Sequence, residues 1–175
     1  MENELYLRLY DNEWPDCGIT HDRLIARAVV YDDEGMLYFT RLERSDEFCV
    51  GTVIETSGGG VETGEGLCTA LRRELREELG AEVEIICRIG TVSDYYNLIG
   101  RHNINNYYLC RAVSFGAPRL TADEERRFHL SPLRLGYEEA CEEYARCECT
   151  PLGRLLAARE LPVLRRAWEI LRSRT

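Results

Sequence analysis

The sequence contains no lysine, and all 22 of its basic residues are arginine. Without a lysine amine, the chain cannot form a Schiff base through a side chain, and it cannot carry a P-loop, which requires that residue. It also has no apolar run near the roughly 20 residues that span a bilayer. Its first four residues, MENE, are acidic where a secretory signal would be basic. These absences favour a cytoplasmic protein with no membrane partner.

Positive charge is also in short supply, because 31 acidic residues outnumber the 22 arginines and give a net charge of −9 over 175 residues. Sequence-independent binding to nucleic acid needs a basic face that neutralises phosphates. We therefore expect no nucleic-acid partner. An acidic protein that acts on phosphate groups needs metal ions to offset the repulsion between like charges.

The chain also lacks the cysteine and histidine spacing of a tetrahedral zinc site. The eight cysteines are mostly dispersed in apolar or strand-like segments, which is typical of small core residues. Cys141, Cys147 and Cys149 lie close together in the sequence, yet no CxxC pair or nearby histidine completes a tetrahedral zinc set. The pattern predicts reduced thiols in a reducing compartment.

The length suits one domain, and no internal repeat is present. Hydrophobic periodicity in the first half predicts strands and one helix. These are strands at 23–31 and 37–42 joined by a turn at 32–35, a strand at 48–54, a glycine turn at 57–60, and a helix at 66–79 that Gly80 ends.

The second half predicts a mixed pattern followed by helix. The predicted elements are strands at 82–94 and 104–114, a loop at 95–103, an acidic loop at 121–125, a strand at 128–135, a helix at 137–147, and two helical pieces at 151–160 and 162–173 divided by Pro162. The strand at 104–114 is long enough to be central. We predict one domain over residues 1–150 and a basic helical appendage over 151–175 that packs on it.

The predicted helix at 66–79 carries three glutamates, Glu74, Glu77 and Glu78, spaced so that they face one small volume. Like charges at this spacing cost a few tenths of a kcal/mol per pair. Nearby arginines could neutralise them as an ordinary solvated helix face. A glycine run, Gly58 to Gly60, directly precedes the helix and lets backbone groups approach a metal ion or a phosphate. Oxygen ligands without histidine or cysteine favour Mg²⁺ or Mn²⁺ over Zn²⁺.

The segment from Gly59 to Ala81 reads G-x5-E-x7-R-E-U-x-E-E-x-G-U, where U is apolar, and it resembles the signature of the Nudix hydrolases at every charged and glycine position. Ala81 is smaller than the usual final residue. The triplet Glu55-Thr56-Ser57 stands where many members have a bulky residue and proline. The resemblance implies an α/β fold, the Nudix fold: an α/β/α sandwich with a central mixed sheet and the signature as loop-helix-loop.

The same resemblance implies the roles of individual residues. The metal ligands would be Glu74, Glu77, Glu78 and the carbonyl of Gly58, the ion would be Mg²⁺ with Mn²⁺ as a substitute, and the structural supports would be Gly59, Glu65, Arg73 and Gly80. The general base would be Glu74 or a glutamate outside the signature, for which Glu124 and Glu125 are the candidates. The predicted reaction is attack of a metal-activated water on a phosphorus of a diphosphate link.

The substrate implied is a small nucleotide-derived molecule, a nucleoside diphosphate linked to another moiety. A nucleoside triphosphate, an ADP-ribose-like compound, a nucleotide sugar and a dinucleoside polyphosphate all remain open. Arg27 and Arg101 are candidates for binding phosphates, and Tyr96 is a candidate for stacking on a base. Each could equally be an ordinary structural residue.

Two alternatives stay open at this point. One is a non-catalytic nucleotide sensor or binding module with the Nudix fold, although such modules usually have eroded signatures. The other is an isomerase of isoprenyl diphosphates, which needs a catalytic cysteine that neither Cys49 nor Cys68 can be assigned to provide. The oligomeric state is also open, with a homodimer as the alternative to a monomer.

Overall fold

A computed structural model describes residues 4–174; Met1 to Asn3 of the acidic amino-terminal start and Thr175 lie outside the described residues. The strands are β1 (Leu5–Leu9), β2 (His21–Tyr31), β3 (Leu37–Ser45), β4 (Val50–Glu55), β5 (Ser57–Gly60), β6 (Ala81–Tyr96), β7 (Arg101–Phe115) and β8 (Ser131–Leu135), and the helices are α1 (Leu67–Leu79), α2 (Ala122–Arg126), α3 (Tyr137–Cys147) and α4 (Pro151–Arg174). None of these helices combines the length and apolar character needed to cross a membrane.

The strands form one mixed sheet in the order β1-β6-β7-β2-β3-β4, with β5 added to β2 and β8 added to β3. The β1–β6 and β2–β7 pairs are parallel, and the other pairs are antiparallel. The prediction that the strand around 104–114 is central is confirmed, because β7 lies between β6 and β2. The two central strands, β7 and β2, therefore supply side chains to both faces of the sheet.

The two faces of the sheet are covered by different helices. On one face, Ala28 of β2 packs in a core with Leu75 of α1. On the other face, Val29 packs in a core with Leu164 of α4 and with residues of α3. This alternation follows from the two-residue period of a strand, and it confirms the predicted α/β fold with a central mixed sheet.

The helix α1 begins and ends close to the predicted limits. Leu71, Leu75 and Leu79 are buried on one face, as their four-residue spacing predicts. Gly80 ends the helix in the left-handed conformation, with φ of 67°, and its N–H donates to carbonyls of the last turn. The glutamates of the signature are thus held on a helix whose opposite side is fixed in the core.

Three predicted loops are shorter in the structure than the sequence suggests. The glycine run forms strand β5, which pairs with β2. The predicted loop at 95–103 is reduced to a single 3₁₀ turn, Asn97–Ile99, and Gly100, because β6 and β7 continue into it. Residues 121–125 contain helix α2, which a capping box between Thr121 and Glu124 stabilises. Pairing across strands overrides local turn preference in the first two cases.

The prediction that Pro162 divides the carboxyl-terminal region into two helices is wrong, since α4 runs through it without interruption. A proline inside a helix costs about 3 kcal/mol. Buried side chains lie on both sides of Pro162, with Leu156 and Ala157 before it and Val163 and Leu164 after it. Burying four apolar side chains outweighs one lost hydrogen bond.

Candidate active site

The carboxylate of Glu78 lies at the junction between α1 and β5, where the side chain is only 9% exposed. The N–H of Gly58 donates to its Oε2 at 2.9 Å. Burial raises the pKa of Glu78 to about 8, although the Gly58 N–H and the charge of Arg27 oppose the shift. A carboxylate is costly to ionise at such a position unless a cation lies beside it. The position of Glu78 therefore favours binding of a cation.

Glu74 lies one turn earlier on α1 and faces Gly59. A Cβ atom at Gly59 would stand 2.5 Å from the carboxyl atoms of Glu74, so a larger residue there would push that carboxylate out of its present position. Burial raises the pKa of Glu74, and the negative charges of Glu77 and Glu124 add to the shift, while Arg73 opposes it. The small size of Gly59 thus lets the Glu74 carboxylate lie close to the backbone of β5.

Arg73 connects the loop and the helix of the signature. Its Nε and Nη2 donate to the two carboxylate oxygens of Glu65 at 3.1 and 2.9 Å, and Nη2 also donates to the carbonyl of Gly60 at 3.0 Å. Its Nη1 donates to Glu74 at 2.7 Å and to Glu77 at 3.3 Å. Arg73 thus holds the loop against the helix and partly neutralises two of the three glutamates.

These side chains line a cavity of about 460 Å³, the acid cavity. Its lining residues are the acids Glu62, Glu74, Glu77, Glu78 and Glu124, the cations Arg23, Arg73 and Arg119, and Gly58, Gly59, Leu120 and Thr121. The structure therefore brings all three predicted glutamates and Glu124 to one cavity. Of the other predicted candidates, Glu125 is not among the described residues that line it, and neither Cys49 nor Cys68 is.

Glu124 is engaged in a local contact in this structure. Its carboxylate accepts hydrogen bonds from the N–H and the hydroxyl of Thr121, at 2.7 and 2.8 Å. These bonds cap α2, which has five residues, none of them buried. To serve as a base or a ligand, Glu124 would have to leave this cap, at a cost of about 1 kcal/mol.

The acid cavity suits a hard divalent cation in its donor chemistry. Its candidate ligands are oxygen atoms, and the buried Glu78 lacks a full counter-charge. Within residues 4–174, however, no three histidine, cysteine, aspartate or glutamate side chains stand close enough together to hold a metal ion as placed. Arg73 bridges Glu74 and Glu77 in this arrangement. To hold an ion at this site, Glu74 and Glu77 would have to turn away from Arg73.

A second cavity of about 330 Å³, the arginine cavity, opens beside the acid cavity and shares Arg23, Gly58 and Gly59 with it. Its other lining residues are Ile25, Arg27, Arg44, Phe48, Glu55, Tyr96, Ile99, Arg101, Asn103, Phe128, Leu152 and Arg159. All three residues predicted to bind substrate, Arg27, Tyr96 and Arg101, lie in this cavity. The three shared residues make the two cavities adjacent.

Arg27 is buried in the floor of the arginine cavity, and its donors are used by the protein. It donates to Asn105 at 3.2 Å and to the carbonyl of Thr56 at 2.8 Å, and it forms an ion pair with Glu55 at 3.1 Å. Burial would raise the pKa of Glu55, but Arg27 and Arg159 outweigh it and hold the pKa below its usual value. Arg27 thus fixes the segment between β4 and β5, which leads to Gly58.

Arg159 of α4 is the centre of this buried network and is 1% exposed. It donates to Glu160 at 2.9 and 2.7 Å, to Glu55 at 3.0 Å, to Asp94 at 3.4 Å and to the Tyr96 hydroxyl at 3.2 Å. The hydroxyl of Tyr96 is therefore an acceptor within the protein, and only part of the residue faces the cavity. Helix α4 contributes directly to the floor of the site.

Glu160, the next residue of α4, is fully buried and completes the network. It accepts hydrogen bonds from the hydroxyls of Thr56, at 2.9 Å, and Tyr107, at 3.1 Å. Sequence reasoning missed both Arg159 and Glu160. Their signal was a charged pair inside an apolar helical stretch, since residues such as these are almost never fully buried unless they are paired.

A mixed sheet between helices, with a glycine strand leading into a helix of carboxylates, is the arrangement that the signature implies. The family model of the NUDIX domain matches residues 21–143. The chain therefore belongs to the Nudix hydrolase family. The match ends before α4, so Arg159 and Glu160 lie outside the region that it covers.

A match to a characterised protein covers less of the chain than the family model does. The chain is 35% identical over 69 residues to the oxidized purine nucleoside triphosphate hydrolase of Danio rerio. This match covers 39% of the chain and 43% of that relative. The match thus spans less than half of each protein.

Several solved structures share the fold. A NUDIX hydrolase from Nitrosomonas europaea superposes with a TM-score of 0.58 at 18% identity, covering 71% of this chain and 79% of its own. The E. coli ORF135 protein superposes with a TM-score of 0.56 at 23% identity, covering 86% and 91%. At such identities the likeness concerns the fold alone.

Proposed function

We propose that this protein is a metal-dependent pyrophosphohydrolase that cleaves a nucleoside diphosphate linked to another moiety. The observation that carries the proposal is the buried carboxylate of Glu78, bonded to the Gly58 N–H and facing the same cavity as Glu74, Glu77 and Glu124. Among the candidate substrates, we place nucleoside triphosphates with oxidised purine bases first. The activity named for the Danio rerio relative supports that choice.

The roles proposed within the acid cavity follow from charge and position. Glu74, Glu77, Glu78 and the carbonyl of Gly58 would hold Mg²⁺, or Mn²⁺ in its place. When bound, such an ion neutralises phosphate oxygens and lowers the pKa of a coordinated water. Of the described residues, Arg23 and Arg119 line this cavity with side chains that form no hydrogen bond or ion pair. We assign them to the phosphate oxygens of the substrate.

The proposed base is a glutamate that can accept the proton of the attacking water. Glu74 is the candidate on α1, and Glu124 is the candidate outside the signature that lines the acid cavity. Glu125 remains a weaker proposal because it does not line that cavity. Gly59, Glu65, Arg73 and Gly80 would support the site, and Arg27 would position the segment before Gly58 through its buried contacts.

The same proposal covers the location of the protein, its division into domains and its oligomeric state. All eight cysteines are free in the structure, which supports a cytoplasmic, reducing location. The division into a domain at 1–150 and an appendage at 151–175 also stays a proposal, although α4 contacts β1, β4, β6 and α3. A homodimer remains the alternative to a monomer.

Hydrolysis assays over a panel of substrates test the proposal. The panel contains ordinary and 8-oxo purine nucleoside triphosphates, ADP-ribose, a nucleotide sugar and a dinucleoside polyphosphate, each with Mg²⁺ and with a chelator. We expect metal-dependent release of pyrophosphate or a nucleotide from at least one compound, with the 8-oxo triphosphates cleaved fastest. Turnover that persists in chelator would contradict the metal assignment. Metal and nucleotide binding without turnover would favour the non-catalytic sensor.

Thermal denaturation with Mg²⁺ tests the metal site without any substrate. A ligand that binds only the folded state adds about 1.4 kcal/mol at ten times its Kd, so millimolar Mg²⁺ or Mn²⁺ should raise the melting temperature of the apoprotein. The same titration on Glu78→Gln should give little or no shift. An equal shift in both proteins would mean that the ion binds elsewhere.

A further inference from the structure

The arginine cavity contains buried polar atoms that the fold leaves without hydrogen-bond partners. Arg101 and Asn103 stand two residues apart on β7, so both face the same side of the sheet, and both line the cavity. Asn103 is 1% exposed, and its Oδ1 has no hydrogen-bond partner. The Nε of Arg101 is buried and also lacks one. Within the described residues, the side-chain amide of Asn103 forms no hydrogen bond.

Such groups cost stability unless a ligand or an ordered water satisfies them. A buried donor or acceptor without a partner costs about 1–3 kcal/mol, and native proteins contain few of them. Burial and the neighbouring charge of Arg23 lower the pKa of Arg101. The Arg101 guanidinium lies 5.6 Å from the centre of the Tyr96 ring, a cation–π contact that uses none of its N–H donors. Two such groups at neighbouring positions in one cavity indicate a binding surface.

The kind of group that is missing identifies the chemistry of the ligand. Arg101 offers a donor, whereas the Oδ1 of Asn103 requires one. A phosphate ester at neutral pH supplies acceptors and cannot satisfy that oxygen. A heterocyclic base carries N–H donors beside carbonyl or ring-nitrogen acceptors on a single edge, and arginine and asparagine are residues that read such edges.

We propose that Arg101 and Asn103 bind the edge of the nucleobase of the substrate, with Asn103 accepting from a base N–H and Arg101 donating to a base acceptor. The inference rests on the proposed function for the identity of the ligand as a nucleotide. Arg23 lies in the wall that the two cavities share, so the phosphates would lie on its side and the base beyond it. This proposal gives Arg101 a role in base specificity in place of the phosphate-binding role that the sequence suggests.

Binding measurements on the metal-free protein test this assignment without hydrolysis. The probes are the 5′-monophosphates of adenosine, guanosine, cytidine, uridine and 8-oxoguanosine, with ribose 5-phosphate as the probe that lacks a base. We expect the wild-type protein to bind at least one nucleotide about tenfold or more tightly than ribose 5-phosphate. The variants Asn103→Leu and Arg101→Met should lose most of that difference and keep their affinity for ribose 5-phosphate.

Arg23→Met provides the matched control, because it removes an arginine from the shared wall. It should weaken all phosphate probes, including ribose 5-phosphate, and leave the ranking of the bases unchanged. Asn103→Leu and Arg101→Met should also retain or gain thermal stability, since each removes an unsatisfied buried group. A purely structural role for either residue would lower it.

Two results would overturn the assignment. Equal affinity of the wild-type protein for ribose 5-phosphate and for every nucleotide would show that the base is not read. An equal loss for all probes in Asn103→Leu and Arg101→Met would place a phosphate at these residues instead. Base-selective binding without turnover of any substrate would contradict the proposed function and leave the base-reading assignment standing.

Discussion

Loss of hydrolysis with an intact fold is the expected result of Glu78→Gln. The substitution keeps the size of the side chain and its ability to accept from the Gly58 N–H, but it removes the negative charge that would bind the metal ion. A catalytic metal supplies several kcal/mol of transition-state stabilisation, and about 2.7 kcal/mol corresponds to about 100-fold in rate. We therefore expect kcat to fall by about 100-fold or more.

The matched control is Glu138→Gln, which changes an exposed glutamate of α3 in the same way. It should leave kcat unchanged and lower the melting temperature by no more than about 4 °C, because it removes one negative charge from the first turn of α3. In the absence of metal, Glu78→Gln should be at least as stable as the wild-type protein, because it replaces a buried carboxylic acid by a neutral amide. Wild-type turnover in Glu78→Gln would refute the assignment of Glu78 as a ligand.

A large loss of stability is the expected result of Arg159→Met. Methionine fills a similar volume, yet it leaves Glu160 and Asp94 without the guanidinium that pairs with them, and it leaves Glu55 paired with Arg27 alone. Removing one partner of a buried ion pair costs about 3–5 kcal/mol. For a protein of this size, the lower figure corresponds to a fall in melting temperature of about 6–12 °C.

The control for this experiment is Arg172→Met, an exposed arginine on the same helix, which should change stability by no more than about 0.5 kcal/mol. Urea denaturation monitored by circular dichroism measures both variants. A change below about 1 kcal/mol for Arg159→Met would show that the buried charges reorganise or become protonated. In that case the network would not hold Glu55 and Arg27 in place.

The signature segment could be located in the sequence because its information is local. Helical spacing alone puts Glu74, Glu77 and Glu78 on one face, and Gly80 ends the helix for reasons of backbone conformation. The contact of Arg73 with Glu65 joins residues only eight positions apart. None of these features depends on which strands become neighbours.

The loop predictions failed where long-range pairing decided the outcome. Residues 57–60 read as a turn because they are glycine-rich, but pairing with β2 extends them into β5. Local turn preference around 95–103 is likewise overridden as β6 and β7 extend along one another. Local preferences in these segments are worth less than the hydrogen bonds and packing that a neighbouring strand provides.

The sequence by itself determined the fold class, the family and the acidic face of α1, since each is encoded in spacing along a single element. Only the tertiary structure decided which residues form the arginine cavity. Three elements distant in the sequence contribute to it: β2 with Arg23, β7 with Arg101 and Asn103, and α4 with Arg159. The order of strands in the sheet and the docking of α4 bring these side chains together. Burial and the positions of hydrogen-bond partners, which together distinguish a partnered arginine from an unsatisfied one, exist only in the folded chain.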